Sequence, residues 1–201
     1  EHVEVGGKTR NFYTYLAPGL TYDQNCLIVA PPDDVPVLDF IRQGFWQEFA
    51  RKKQIFLHFL EPEGTWNLDG SDADYMNQVY IQVQSRSCYV TIQDNVYGAG
   101  IGRGATVAQQ ALMKMTSEWS GLATFGNLEE LAMLNAVSTQ QTQDMGQVEL
   151  TISASKAQLP VWMLWSQDKK IHADVRDYWK RQNDSSDECF SNKAADEIYF
   201  P

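Results

Sequence analysis

The chain has 201 residues, of which 43% are hydrophobic and 21% are charged, and this ordinary globular composition excludes a collagen-like, low-complexity or disordered protein. Its 26 acidic and 16 basic residues give a formal net charge of −10, which repels phosphate backbones, so we expect no nucleic-acid partner. No apolar run approaches the ~20 residues of a membrane-spanning helix. The length favours a single domain spanning residues 1–201.

The three cysteines, Cys26, Cys88 and Cys189, are too few and too scattered for a disulfide framework. Cys26 and Cys88 fall in predicted strands, where buried thiols are the simpler interpretation, although a disulfide between them is an open alternative. No Cys or His spacing is typical of a metal site. We therefore expect neither a metal nor a cofactor.

The first third of the chain alternates strand and helix patterns. Short alternating segments at 3–5 and 11–16 flank Gly6-Gly7 and predict a β-hairpin. Continuous apolar runs at 26–30 and 55–60 are typical of strands buried on both faces of a parallel sheet. Between them, apolar residues at helical spacing (Leu38, Ile41, Phe45 and Phe49) predict one helix over 37–53.

The same alternation continues to the end of the chain. Helices are predicted at 75–85, with Ser71 or Asp72 as N-cap, and at 105–117 and 173–182. Strands are predicted at 89–92, 122–125 and 161–165, and a strand followed by a turn at 95–104. Residues 148–152 form either another strand or part of an excursion from the sheet. Strands that alternate with helices predict an α/β fold with a mainly parallel sheet flanked by helices.

A glycine-dense segment, Tyr97-Gly98-Ala99-Gly100-Ile101-Gly102-Arg103-Gly104, joins a predicted strand to a predicted helix. One interpretation is a phosphate-binding loop, but the spacing is GxGxG rather than GxGxxG. The other is a nucleophile elbow, GxSxG, in which Gly100 and Gly104 hold the outer positions and Gly102 stands where the serine belongs.

Several segments, in order, resemble the polyhydroxybutyrate-depolymerase and feruloyl-esterase-like branch of the α/β-hydrolases. The entry strand is similar at 11–18, the helix before the elbow at 72–85, and the elbow itself at 100–105. Residues 160–168 resemble the strand and loop that deliver the acid of a catalytic triad, and 178–183 the helix after it. The resemblance implies an α/β-hydrolase fold, an acid at Asp168, and a secreted or cell-surface location.

The departures from this pattern concern the chemistry. Gly102 has no side chain with which to attack a carbonyl. Pro31-Pro32 follow the third strand, where the family's oxyanion hole takes backbone N–H groups that proline lacks. No histidine follows His172; a chain truncated before the final strand would account for that absence but not for the glycine or the prolines. We therefore expect a catalytically inactive domain in which Gly102 and Asp168 are vestigial.

The pocket outside the strand ends would persist without catalysis. Arg103, directly after the missing nucleophile, would favour a small anionic or ester-like ligand, and Trp66 and Trp165 near loop ends would form an aromatic platform. The simpler alternatives are an arginine that points into solvent and tryptophans that lie in the core.

Two further histidines and an acidic stretch are explained more simply by structural roles. His58 lies inside an apolar strand, which favours a core histidine, and His172 is expected to be an exposed loop residue. The carboxylates between Glu61 and Asp74 could pair as an acid and a base or hold Ca²⁺. A solvated loop and a helix N-terminus explain them more simply.

The leading hypothesis is thus an inactive hydrolase-like domain that serves as a binding or structural module. The alternative is a carboxylic-ester hydrolase acting on a polyester or carbohydrate ester, with a non-standard nucleophile such as Ser166 or with a site completed by a further C-terminal segment. A third hypothesis is an interaction subunit that presents its sheet to another protein chain.

Overall fold

A computed structural model describes residues 1–19, 25–85, 96–126, 159–164, 173–183, 190–192 and 197–200. Within these ranges the strands are β1 (His2–Val5), β2 (Lys8–Tyr15), β3 (Asn25–Ala30), β4 (Ile55–Leu60), β5 (Val96–Ile101), β6 (Gly121–Phe125), β7 (Val161–Leu164), β8 (Phe190–Asn192) and β9 (Glu197–Phe200). The helices are α1 (Val37–Gln43), α2 (Trp46–Lys53), α3 (Ser71–Ser85), α4 (Gly104–Lys114) and α5 (Ala173–Gln182).

The described strands form one sheet in the order β1-β2-β4-β3-β5-β6-β7-β9-β8. The central run β4-β3-β5-β6-β7 is parallel throughout, and antiparallel strands flank it on both sides. After β3 the chain moves to one side to form β4, then returns to form β5 on the other side. This reversal creates a crevice between the carboxyl ends of β3 and β5, where ligands of open α/β sheets bind.

Helices cover the two faces of the sheet unequally. On one face α3, α4 and α5 enclose the larger core, which includes Met76, Leu112 and Trp179. On the other face α1 and α2 pack over β4 and β3, against Leu57 and Phe59. The predicted α/β fold with a mainly parallel sheet is therefore confirmed. No helix among the described residues is long and apolar enough to cross a membrane.

The single helix predicted over 37–53 is wrong. The chain breaks into α1 and α2 at Gly44-Phe45, where Phe45 has a left-handed φ of 53°. A Cβ on Gly44 would lie 2.1 Å from the Trp46 indole nitrogen, so the indole occupies the space beside the glycine. Consequently Phe45 is 79% exposed instead of facing the core.

Other elements differ in extent from the prediction. The hairpin, the buried strands β3 and β4, and α5 lie where they were predicted, whereas β8 and β9 were not predicted. Ser71 and Asp72 are the first residues of α3 rather than its N-cap, because the carbonyl of Gly70 accepts the N–H of Asp74. The segments 89–92 and 148–152 lie outside the described residues.

A buried ion pair ties the entry hairpin to α3. The Arg10 guanidinium donates to Asp72 over 2.6 Å, and the second oxygen of Asp72 accepts the backbone N–H of Asn67. Arg10 also donates to the carbonyl of Glu61 and lies 4.2 Å from the centre of the Tyr75 ring. Burial raises the pKa of Tyr75, whose hydroxyl donates to the carbonyl of Asn11. The network thus fixes the 61–70 loop against two elements.

Loss of one partner of this pair is expected to cost far more than loss of an exposed one. Asp72→Ala removes the buried partner of Arg10 and leaves only the half-exposed Glu63 carboxylate, 3.8 Å from Arg10 Nε, so we expect the free energy of unfolding in urea to fall by about 3 kcal/mol. The matched variant Asp74→Ala breaks a pair between Lys114 and the half-exposed Asp74 and should cost about 1 kcal/mol or less. Equal losses in the two variants would contradict a dominant role for the Arg10–Asp72 pair.

The start of α4 approaches the sheet so closely that two glycines are required. A Cβ on Gly100 would lie 2.4 Å from the Gly104 carbonyl oxygen, and a Cβ on Gly104 would lie 2.3 Å from the carbonyl oxygen of Ala30. Gly102, at the turn between β5 and α4, is different: its φ is +59°, but a Cβ there would meet only Pro32, at 3.5 Å or more.

Alanine substitutions should separate the steric requirement from the conformational one. Gly104→Ala forces a methyl group into the end of β3, and we expect a loss of about 3 kcal/mol in the free energy of unfolding. Gly102→Ala adds only the strain of a left-handed φ, so we expect the free energy of unfolding to fall by about 1–2 kcal/mol. A Gly104→Ala protein as stable in urea as Gly102→Ala would show that α4 can move away from the sheet at little cost.

Candidate functional site

The crevice between β3 and β5 is built around the turn at Gly102. The Gly102 N–H donates to the carbonyl of Phe125 over 2.8 Å, and its own carbonyl accepts the N–H of Ala105. These bonds connect the end of β5 to the end of β6 and to the first turn of α4. The turn is therefore held from both sides in its left-handed conformation, which glycine adopts without steric cost.

The apex of this turn has room for a side chain. The nearest atom to a Cβ at Gly102 would be Pro32 Cβ at 3.5 Å, which is an ordinary van der Waals contact. A small side chain would therefore point into the crevice beside Pro32. Gly102 itself presents no atom that could attack a substrate.

Two prolines form the opposite wall of the crevice. Pro31 and Pro32 follow β3 directly and have no N–H to donate. The carbonyl of Pro31 instead accepts the indole N–H of Trp66 over 2.7 Å. The wall at this position therefore offers an acceptor that is already bonded and no backbone donor for a developing oxyanion.

Arg103 and Trp66 lie together at the crevice, but only the Arg103 side chain is exposed to solvent. Arg103 Nε donates to the carbonyl of Trp66 over 2.9 Å and lies 3.9 Å from an Asp33 carboxylate oxygen. The Arg103 side chain is 47% exposed. The Trp66 side chain is fully buried, so its ring presents no accessible surface on which a ligand could stack.

Asp33 and Gly126 also belong to the crevice, although the sequence pattern did not single them out. Asp33 accepts the backbone N–H of Trp66 and faces Arg103, so it orients both predicted residues. Gly126 has a φ of +104°, and a Cβ on it would lie 3.3 Å from the Gly102 nitrogen. The position of Asp33 directly after two prolines at a strand end was the available signal.

Four candidate residues predicted from the sequence, Trp165, Ser166, Asp168 and His172, lie outside the described residues, as do Cys88 and Cys189. Cys26 is a free, buried thiol whose pKa is raised by burial. Because the thiolate is the reactive form, burial and this raised pKa disfavour reactivity of Cys26.

His58 and the acidic stretch have structural surroundings. His58 is buried in β4, with Nδ1 2.9 Å from the Thr14 hydroxyl. The Ser71 N–H and hydroxyl donate to Asp69 and lower the pKa of its carboxyl group. Glu61 accepts the phenolic O–H of Tyr13, and burial, followed by this bond and the nearby charge, raises the pKa of Tyr13. Among the described residues no group of three His, Cys, Asp or Glu side chains could hold a metal ion.

No protein-family model and no curated protein sequence matches the chain. Solved structures do. The chain is similar to FphF, a fluorophosphonate-binding serine hydrolase of Staphylococcus aureus, with a TM-score of 0.61 and 12% identity over 90% of this chain and 83% of that one. It is also similar to the S-formylglutathione hydrolase FrmB of the same species, with a TM-score of 0.51 and 11% identity over 73% and 67% of the two chains.

The native form of pOPH matches with a TM-score of 0.51 and 14% identity over 61% of this chain. This chain spans about half the length of pOPH, since the match covers 48% of it. At such low identities the likeness concerns the backbone arrangement alone. The chain has the α/β-hydrolase fold.

Proposed function

We propose that this protein is a catalytically inactive α/β-hydrolase-like domain that binds a ligand at the former active-site crevice. The observation that carries the proposal is the turn at Gly102: it is held in a left-handed conformation with room for a side chain, and it has none. The proposal includes the branch of the fold family suggested by the sequence, in which Gly102 replaces the nucleophile and Asp168 is a vestige of the acid.

The size of the expected rate losses favours an inactive site over one with weakened activity. Loss of a triad member lowers the rate by about 10⁴- to 10⁶-fold, and loss of one oxyanion donor by about 10²-fold or more. Gly102 and the Pro31-Pro32 wall are independent lesions on opposite sides of one crevice. Together they would reduce the ancestral reaction to the background rate.

The proposed ligand is small and anionic or ester-like, and Arg103 would contact it. The Arg103 ion pair with Asp33 is long and half exposed, and such pairs contribute only about 0–1 kcal/mol. The guanidinium could therefore reorient toward a carboxylate, with which it can form two charge-assisted hydrogen bonds. Trp165 remains a predicted contact. Trp66 would contribute through its carbonyl, which positions Arg103, rather than through its ring.

We also propose that residues 1–201 fold as a single domain. The continuous sheet from β1 to β8, whose antiparallel ends both join the same parallel core, supports one cooperative unit.

The absence of covalent chemistry can be tested with a fluorescent fluorophosphonate and p-nitrophenyl acetate. We expect the purified protein to remain unlabelled and to hydrolyse the ester no faster than Gly102→Ala or buffer, because no nucleophile stands at the turn. An active serine hydrolase run in parallel shows that the probe is intact. Labelling that Ser166→Ala abolishes would instead support the alternative, an ester hydrolase with a displaced nucleophile.

Ligand binding can be tested with phenylacetate, a small aromatic carboxylate, by NMR titration of the backbone amides. We expect shifts concentrated at Gly102, Arg103 and Gly126, and a Kd that Arg103→Gln weakens by about tenfold through loss of the charge-assisted bonds. Arg42→Gln, on the exposed face of α1, removes the same charge elsewhere and should leave the Kd unchanged. Shifts that avoid the crevice, or equal effects of both variants, would count against Arg103 as a ligand contact.

A further inference from the structure

The main chain of Trp66 holds two oppositely charged side chains at the Gly102 crevice. Its N–H donates to Asp33 Oδ2 over 3.1 Å, and its carbonyl accepts the N–H of Arg103 Nε over 2.9 Å. The same Asp33 oxygen lies 3.9 Å from Arg103 Nε. The Trp66 ring is fully buried, and its indole N–H donates to the carbonyl of Pro31. Trp66 therefore anchors both charges to the core.

Both charged side chains keep hydrogen-bonding capacity that the described residues do not use. Asp33 accepts the Trp66 N–H at Oδ2, which leaves Oδ1 without a donor in the described part of the chain. Arg103 donates there only from Nε, although its two outer nitrogens are donors as well. The Arg103 side chain is 47% exposed, whereas that of Asp33 is 17% exposed. A donor group that reaches solvent thus lies beside a mostly buried acceptor.

The pair is held in position by Trp66 and not by its own attraction. An N–O distance of 3.9 Å is too long for a hydrogen bond, and half-exposed ion pairs contribute little to stability. The bonds to Trp66 nevertheless restrict both side chains, so part of their conformational entropy is lost before a ligand arrives. The outer nitrogens of Arg103 can meet a ligand while Nε keeps its bond to Trp66.

Two neighbouring charges of opposite sign discriminate among ligand classes. A simple carboxylate can bond to Arg103, but the Asp33 carboxylate repels it, and a neutral ester offers Asp33 no donor. A simple amine is attracted by Asp33 but repelled by the Arg103 guanidinium. A ligand that carries both a carboxylate and an ammonium group pairs with both side chains. Its two groups must be close together, because the two protein charges are close together.

The net charge of the protein favours the same class of ligand. At −10, the chain repels free anions over a range that depends on salt. A zwitterion has no net charge, so this field does not oppose its approach. The crevice also has room for the rest of a small ligand, since among the described residues a Cβ at Gly102 would meet only Pro32, at 3.5 Å or more.

We propose that the ligand of the Gly102 crevice is a free α-amino acid. Its carboxylate bonds to the outer nitrogens of Arg103, its ammonium group bonds to Asp33 Oδ1, and an apolar side chain packs on Pro32. Because a single carbon atom separates the two charged groups of an α-amino acid, their spacing suits the closeness of the two protein charges. This inference rests on the proposed function, since it specifies the ligand of the same crevice.

The rival occupant of the crevice is another part of this chain. Residues 127–158 follow β6 and residues 165–172 follow β7, both starting at the carboxyl edge of the sheet, and they lie outside the described residues. They include Asp168 and Lys169, charged residues that are candidates to pair with Arg103 and Asp33. The solvent exposure of the Arg103 side chain favours an external ligand, and the experiment includes variants that separate the two cases.

The test compares L-leucine with two analogues that each lack one charged group, 4-methylpentanoate and 3-methylbutylamine. Dissociation constants are measured at neutral pH by NMR titration of the backbone amides. We expect L-leucine to bind about tenfold more tightly than either analogue, because it alone forms charge-assisted bonds with both side chains. The amides of Asp33, Gly102 and Arg103 should shift on binding.

Two variants assign the two charged groups of the ligand. Asp33→Asn keeps an oxygen for the Trp66 N–H but loses the charge, so it should weaken L-leucine about tenfold and leave 4-methylpentanoate no weaker than with the wild type. Arg103→Gln should weaken L-leucine and 4-methylpentanoate alike, but not 3-methylbutylamine. Asp34→Asn removes the same charge from the adjacent exposed residue and should change each Kd by about twofold at most. The amide spectrum verifies that each variant is folded.

Three outcomes would overturn the inference. If 4-methylpentanoate binds at the crevice at least as tightly as L-leucine, the proposed function stands and only the ligand class is wrong. If Asp33→Asn lowers the free energy of unfolding but leaves the preference for L-leucine unchanged, the pair serves only to hold the chain at Trp66. If no ligand binds the wild type at millimolar concentration, the inference and the proposed ligand site both fail. Binding of L-leucine that then emerges in Asp168→Asn or Lys169→Gln would identify this chain as the occupant.

Discussion

The close approach of α4 to the ends of β3 and β5 is the constraint on which the rest of the molecule depends. Gly100 and Gly104 lie so near the facing backbone that neither can carry a Cβ without displacing main-chain atoms. Backbone in such contact cannot yield by changing a rotamer, so the positions of β3, β5 and α4 are fixed relative to one another. The crevice at the carboxyl ends of these strands is therefore also rigid.

Main-chain hydrogen bonds hold the turn at Gly102 in its left-handed shape. The hydrogen bonds from Gly102 to Phe125 and from Ala105 to Gly102 involve only main-chain groups and do not depend on the residue at the apex. In a nucleophile elbow such a turn projects the attacking side chain; here the residue at its apex is Gly102, beside Pro32. The shape of the turn and its chemistry are therefore separable. The shape depends on Gly100 and Gly104, whereas catalysis would depend on the side chain at the apex and on nearby hydrogen-bond donors.

How far the sequence predicts this structure depends on how local the signal is. The hairpin around Gly6-Gly7 and the apolar runs of β3 and β4 follow from turn chemistry and periodicity. The break at Gly44-Phe45 does not, because the apolar spacing from Leu38 to Phe49 continues across it. Only the structure shows that the Trp46 indole occupies the space beside Gly44. The position of Asp33 after a strand end places it near the crevice, but its contacts with Trp66 and Arg103, 33 and 70 residues away along the chain, are visible only in the structure.

The exposure of Phe45 and Phe49 connects the failed helix prediction to the shape of the sheet. Their periodicity predicts a buried face because apolar residues at helical spacing usually pack against the same element. In this structure α1 and α2 pack mainly over β4 and β3, and Phe45 and Phe49 instead line an apolar cavity over β5, β6 and β7. The pattern thus predicts burial that the described residues do not provide for Phe45 and Phe49, whose side chains are exposed. Apolar residues at helical spacing therefore indicate which positions favour burial, but not which surface buries them.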